Sequence, residues 1–78
     1  MVINFTESAA RHGISEEDAL YAATRAVEKK PIIDRRGNKA TLFIGPPHGQ
    51  TNRLIEVIAS FDGKDFLIYH AMDTGRRK

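Results

Sequence analysis

Apolar residues recur at helical spacing before Pro31 and alternate with polar residues after it, so the chain predicts helices followed by strands. Residues 6–11 predict a short helix with Thr6 as its N-cap, stopped by the glycine that follows. A longer helix begins after the N-cap Ser15, since acidic residues fill its first turn, where the helix dipole favours negative charge. Its end is expected at Lys30, because the residue before a proline avoids α geometry.

The second helix has an apolar face built mainly from alanine. Leu20, Ala23 and Val27 recur at helical spacing, and Ala19 and Ala26 flank them. Such small side chains let a helix backbone come close to its neighbour. The composition of this face therefore predicts that the helix packs closely on a sheet and does not fill a deep core.

Four strands are predicted beyond the helices, over residues 31–35, 40–45, 53–61 and 65–72. Asp62-Gly63 joins the last two as a hairpin signal. Residues 73–78 are polar and basic and fit either a tail or a docked end. The order predicts an α+β fold, in which two N-terminal helices pack on one face of a four-stranded, mainly antiparallel meander sheet.

A two-residue turn between the last two strands sets which side chains share a face. Phe61 would then pair with Lys64, and Ile55 would lie opposite His70. The face expected to carry the helices holds Ile55, Val57, Ala59, Phe66, Ile68 and His70, and the other holds Leu54, Glu56, Ile58, Ser60, Leu67 and Tyr69. A three-residue turn would shift the pairing by one residue. In either register the second face keeps apolar residues that a partner chain can cover, a second copy included.

Length and composition limit the architecture. The 78 residues and 8.7 kDa fit one domain over residues 1–78, and a chain of this size buries only about 60% of its unfolded surface. There is no cysteine, so disulfides and cysteine-rich metal sites are excluded. The longest uncharged run, 40–52, contains two prolines and two glycines and predicts no membrane span. The start of the chain lacks a basic-then-apolar leader, which predicts a cytoplasmic protein.

Charge is distributed unevenly along the chain. Residues 1–28 carry a net charge of −3 and residues 29–78 a net charge of +5, which together give +2. An acidic first third joined to a basic remainder is typical of a protein with a nucleic-acid face or a charged protein partner. The same distribution is also compatible with ordinary solvated charges on a folded domain.

Three histidines are the first candidates for chemistry. His12 precedes a helix-stopping glycine, which favours capping or packing, and His48 lies in a proline-rich loop, which favours a solvated side chain. His70, near the end of the last strand and beside a basic terminus, is the best acid–base candidate. Their spacing does not match a metal-binding pattern, and neither a nucleotide-binding glycine motif nor a P-loop is present. The sequence therefore predicts no metal and no cofactor.

A basic group accompanies His70. Because the last two strands pair, the start of one lies beside the end of the other, and this brings together Arg53, Arg76, Arg77 and Lys78. Guanidinium groups bind phosphate and stabilise the charge of a pentacovalent transition state. With His70, Tyr69 and Glu56 nearby to exchange protons, the group predicts RNA cleavage without a metal. The alternative is that the arginines only balance acidic groups on a partner.

Residues 11–19, Arg-His-Gly-Ile-Ser-Glu-Glu-Asp-Ala, resemble the Lys/Arg-His-Gly-Val-Ser-x-Glu-Glu-Ala signature of BrnT-type toxins, which belong to the RelE/ParE-like group of small bacterial toxins. Ile44-Gly45 followed by Arg53-Leu54 is similar to a second stretch of that family, and residues 68–71 fall at its last strand. The chain departs from the family in having no tryptophan and in carrying His70 where serine is usual.

The resemblance implies an mRNA-cleaving toxin of RelE-like fold, acting alone or on the ribosome, and neutralised by a DNA-binding antitoxin. It places His12 and Arg53 on motif positions and Arg76 and Arg77 in a basic C-terminal region. Two alternatives remain open. One is a non-catalytic domain of the same group that acts by binding another protein. The other is a nucleic-acid-binding module without toxicity, whose affinity would fall steeply with salt.

Overall fold

A computed structural model describes residues 2–33, 37–61 and 63–77. In chain order the elements are β1 (Ile3–Phe5), α1 (Glu7–Ala10), α2 (Glu16–Thr24), β2 (Glu28–Ile33), β3 (Lys39–Gly45), β4 (Arg53–Phe61) and β5 (Phe66–Arg77). The strands form one sheet in the order β1-β5-β4-β3-β2. Strands β2 to β5 form an antiparallel meander, and β1 lies parallel to β5 at one edge.

The prediction of a four-stranded, mainly antiparallel sheet of the RelE-like kind is wrong, because the sheet is mixed and has five strands. The additional strand β1 is only three residues long, too short to show an alternating pattern in the sequence. Its pairing with β5 is continued at both ends, where Phe66 N donates to Val2 O at 2.8 Å and Thr6 N donates to Ile68 O at 3.0 Å. Helices and strands still follow one another as separate groups, as in an α+β protein.

Both predicted helix starts are confirmed. The Thr6 hydroxyl accepts a hydrogen bond from Ala9 N at 3.2 Å, and the Ser15 hydroxyl accepts one from Asp18 N at 3.1 Å. Each bond satisfies a backbone donor that lacks a partner within the helix. The local sequence therefore determines where α1 and α2 begin.

The predicted end of the second helix is wrong. Helix α2 ends at Thr24, with Arg25 as its C-cap, and residues 28–33 form β2 instead of a last helical turn. Strand β2 pairs with β3 from Glu28, opposite Ile44, to Ile33. Pro31 is tolerated because β2 is an edge strand. Apolar residues continue at helical spacing as far as Val27, but pairing with β3 determines the conformation of this segment. Val27 is accordingly 55% exposed and does not extend the apolar face of α2.

The predicted register of the last hairpin is also wrong. Phe61 pairs with Phe66, so four residues connect the strands, of which Asp62 lies outside the described residues. Strand β5 runs on to Arg77, so residues 73–77, which the sequence leaves as either a tail or a docked end, belong to the sheet. Between the pairs Ala59–Ile68 and Ile58–His70 the register shifts, because Tyr69 is an extra residue in β5.

This β-bulge decides on which face His70 lies. The covered face of the sheet carries the helices and holds Val57 and Ile68. The open face is the opposite one and holds Glu56 and Ile58. Without the bulge His70 would share the covered face with Ile68, as the sequence predicts. With it, His70 pairs with Ile58 on the open face.

The core lies between the covered face and the two helices. It is formed by Ala9, Ala19, Ala22, Ile55, Val57, Ala59, Ile68 and Ala71. The predicted close approach of α2 to the sheet is confirmed at Gly45 of β3, where an added Cβ would lie 2.5 Å from the Ala22 carbonyl oxygen. Only glycine fits at this contact, because the atoms that a side chain would meet are backbone atoms of Ala22 in α2 and of Ala26 just after it.

Candidate active site

The open face carries a groove of about 890 Å³, which is the size of a small-molecule site. Strands β2 and β4 give it an apolar wall that includes Ile32, Ile33 and Ile58. Strand β5 and the region of α1 contribute the polar end, where Thr6, Ser8, Arg11, Tyr69 and His70 line the groove. The groove is therefore apolar on one side and carries titratable groups on the other.

His70 stands between an acidic and an aromatic neighbour. Its Nε2 lies 3.8 Å from Glu56 Oε1, and the side chains of His70 and Glu56 are 28% and 25% exposed. The ring of His12 meets the His70 ring edge to face, with centroids 5.9 Å apart. The structure thus brings together His70 and Glu56, two of the predicted catalytic residues, and adds His12. Tyr69, a third predicted catalytic residue, precedes His70 at the bulge and lines the groove together with it.

Arg53 lies at the opposite end of the hairpin, where it pairs with Arg77 across β4 and β5. Its Nε donates to Asp73 Oδ2 at 2.8 Å, and its Nη2 donates to the same oxygen. Asp73 Oδ1 accepts from Gly75 N at 2.7 Å. The pKa of Asp73 is therefore lowered, chiefly by the hydrogen bond from Gly75 and then by Arg53.

Arg76 is also held by a carboxylate. Its Nη2 donates to Glu28 Oε1 at 2.9 Å, a bond that joins the end of β5 to the start of β2 although two strands lie between them. This hydrogen bond lowers the pKa of Glu28 and raises that of Arg76. Arg77 Nη1 donates to the backbone oxygen of Arg76 at 3.1 Å. Lys78, the last predicted phosphate-binding residue, lies outside the described residues.

The predicted site is therefore divided in two. Asp73 pairs with Ile55 and so belongs to the covered face, whereas His70 and Glu56 belong to the open face. Arg53, Arg76 and Arg77 do not line the groove that contains His70. Two of the three arginines are engaged by the protein's own carboxylates, in exposed ion pairs that contribute little to stability.

Arg11 is a groove residue to which sequence reasoning assigned no role. It follows α1 and lines the groove together with His70. Within residues 2–33, 37–61 and 63–77, no carboxylate forms an ion pair with Arg11. The signal that could have identified it is its position beside His12 in the stretch that resembles the toxin signature.

Comparisons with known proteins give no match to a family model, to a curated protein or to a solved structure. In the part of the chain that the structure describes, no three or more histidine, cysteine or acidic side chains are placed to hold a metal ion. Neither described helix combines the length and the apolar character that crossing a membrane would require. The groove geometry and the resemblance in the sequence are therefore the two indications of function.

Proposed function

We propose that this protein is an endoribonuclease, the toxin of a toxin–antitoxin pair, which cleaves mRNA without a metal ion. The toxin assignment is supported by the resemblance of residues 11–19 to BrnT-type toxins. Such a toxin acts in the cytoplasm, alone or on the ribosome, and is neutralised by a DNA-binding antitoxin.

The observation that carries the proposal is His70, which lines an open groove and has Glu56 at ion-pair distance. RNA cleavage without a metal needs a group that accepts the 2′-hydroxyl proton, a donor for the leaving oxygen and a cation for the phosphate. An imidazole exchanges protons near neutral pH, and Glu56, 3.8 Å from His70 Nε2, can pair with the ring when it carries two protons. Tyr69 lines the groove next to it, with its hydroxyl oxygen buried.

The test is cleavage of mRNA and of synthetic oligoribonucleotides by the purified protein in the presence of EDTA, with and without ribosomes. We expect cleavage, and a loss of about 10²- to 10⁴-fold in rate for His70→Ala. His48→Ala is the matched control, since His48 is an exposed loop histidine outside the groove. A substrate with a 2′-deoxyribose at the cleaved position must stay intact. RNA that remains uncut under all these conditions, or that is bound without being cut, contradicts the proposal.

A second candidate function is inhibition of growth by binding another protein. It is favoured by the engagement of Arg53 and Arg76 with carboxylates, and by apolar side chains that stay exposed on the open face, such as Leu67 at 38%. In this case His70→Ala retains growth inhibition in cells, and Leu67→Asp abolishes it. The opposite pattern, with inhibition lost in His70→Ala, favours the ribonuclease.

A further inference from the structure

We infer that His12 is a second catalytic residue, which forms an acid–base pair with His70 across the scissile phosphate, and that Arg11 binds that phosphate. The inference rests on the proposed ribonuclease function and specifies the groups that perform it. The juxtaposition of the two imidazole rings, 5.9 Å between centroids, is the observation that carries it.

The two rings come from distant parts of the chain, and the fold fixes their approach. Strand β1 places Phe5 beside Ile68, and the N-cap Thr6 then starts α1 next to the bulge of β5. Helix α1 ends in a turn in which Gly13 N donates to Ala10 O at 3.2 Å. Gly13 has a φ of +76°, which permits this turn and directs the chain on towards α2. His12 therefore reaches His70 through the parallel strand that the sequence pattern does not reveal.

His12 contributes little to packing. It is exposed, as are its neighbours Arg11 and Gly13, and the core contains none of them. Burial thus does not account for its position. Arg11, Tyr69 and His70 line the groove, and Glu56 and His12 lie against the His70 ring. The Arg11 guanidinium, which has no carboxylate partner among the described residues, and the two imidazoles are groups suited to a phosphodiester.

The surroundings of the two rings assign their roles. His70 has a carboxylate at ion-pair distance, so the site can pair with its doubly protonated ring. Among the described residues, His12 has no carboxylate at ion-pair distance. We therefore assign His12 as the base and His70 as the acid.

In the reaction, neutral His12 accepts the proton of the 2′-hydroxyl while O2′ forms a bond to phosphorus. The P–O5′ bond breaks, its electron pair goes to O5′, and O5′ takes a proton from doubly protonated His70. The products are a 2′,3′-cyclic phosphate and a 5′-hydroxyl. Arg11 offsets the charge that develops on the non-bridging oxygens. Proton exchange with water returns both rings to their starting states.

The first experiment compares cleavage rates of an oligoribonucleotide by the whole protein and its variants. His12→Ala is expected to lower the rate about 10²- to 10⁴-fold and to remove the low-pH limb of the bell-shaped rate profile, and His70→Ala to remove the high-pH limb. Arg11→Ala is expected to lose activity as well, whereas its matched control Arg25→Ala, whose guanidinium lies over the Tyr21 ring, retains it. The exposure of His12 predicts an unchanged Tm for His12→Ala, which separates catalysis from folding.

The second experiment distinguishes acid from base with a substrate that carries sulfur in place of the bridging 5′ oxygen. A thiolate leaves without being protonated, so this substrate should restore the rate of His70→Ala and leave His12→Ala impaired. If His12→Ala is the variant restored, the assigned roles are overturned. If the wild-type protein cleaves RNA and His12→Ala cleaves each substrate as fast as the wild type does, this inference fails and the proposed function stands. If the wild-type protein cleaves no RNA, both the proposed function and this inference are contradicted.

Discussion

The covered and open faces of the sheet belong to the same strands and differ in almost every other respect. The covered face packs Val57, Ala59 and Ile68 against the helices with 2% exposure or less. The open face carries Glu56 and His70 between apolar side chains that remain partly exposed, such as Leu67. Side chains that alternate along one strand thus serve stability on one side and bear reactive groups on the other.

The difference shows how a chain of 78 residues accommodates a site. Its two helices contain four and nine residues and pack on β3, β4 and β5 on one face of the sheet. The molecule exposes 5266 Å², against about 4,700 Å² expected for a folded monomer of its mass. The excess fits a face without a covering layer, and the proposed function uses that face.

The largest expected effect is on the covered face. Ile68→Ala should lower the free energy of unfolding by about 2–5 kcal/mol, because it leaves a cavity at a residue that is 1% exposed. This approaches the whole stability of a domain of this size, about 3–5 kcal/mol. The matched control is Leu67→Ala, the preceding residue on the open face, for which we expect about 1 kcal/mol or less. Urea denaturation followed by circular dichroism measures both, and equal losses would contradict the division between the faces.

A smaller loss is expected where α2 approaches β3. Gly45→Ala adds a Cβ that would lie 2.5 Å from the Ala22 carbonyl oxygen and 3.0 Å from Ala26 Cα, so the helix must move away. Overpacking of this kind costs about 1–3 kcal/mol. Gly49→Ala is the control, because its Cβ would meet only the Tyr21 hydroxyl, the end of a side chain that can turn aside. A stability of Gly45→Ala equal to that of Gly49→Ala would show that α2 does not pack as described.

The smallest effect is expected at the exposed ion pair of Arg53 and Asp73. Asp73→Asn should lower the Tm by a few degrees at pH 7, since the carboxylate is lost. The pKa of Asp73 is lowered in the fold, so its stabilising contribution is complete above the ordinary value of 3.8 and disappears as the pH falls through the lowered value. The difference in Tm between variant and wild type should therefore shrink as the pH falls below 3.8. A difference that does not change with pH would show that the ion pair is not its source.

Much of the fold was predictable because it is encoded locally. The N-caps Thr6 and Ser15 form the hydrogen bonds expected of them, and β4 has the predicted bounds Arg53–Phe61. These features depend on a few neighbouring residues or on an alternation sustained over nine positions. The end of α2 and the strand β1 were not predictable in this way, because strand pairing with distant segments decides both.

Only part of the membership of the candidate site was predictable. His70, Glu56 and Tyr69 were identified as groups that exchange protons, and the structure places them together on the open face or at the bulge. The proximity of His12 was not foreseen, because it depends on the parallel pairing of β1 with β5. The carboxylates that hold Arg53 and Arg76 were not foreseen either.

The sequence by itself determined where the helices begin, that alanine meets the sheet, and which residue types are available for chemistry. The tertiary structure alone decided the face on which His70 lies, the neighbour it meets in His12, and the engagement of Arg53 by Asp73. The physical reason is that caps and alternation depend on residues a few positions apart. A bulge of one residue, in contrast, reverses the face of every side chain beyond it, and only pairing between distant strands places the bulge.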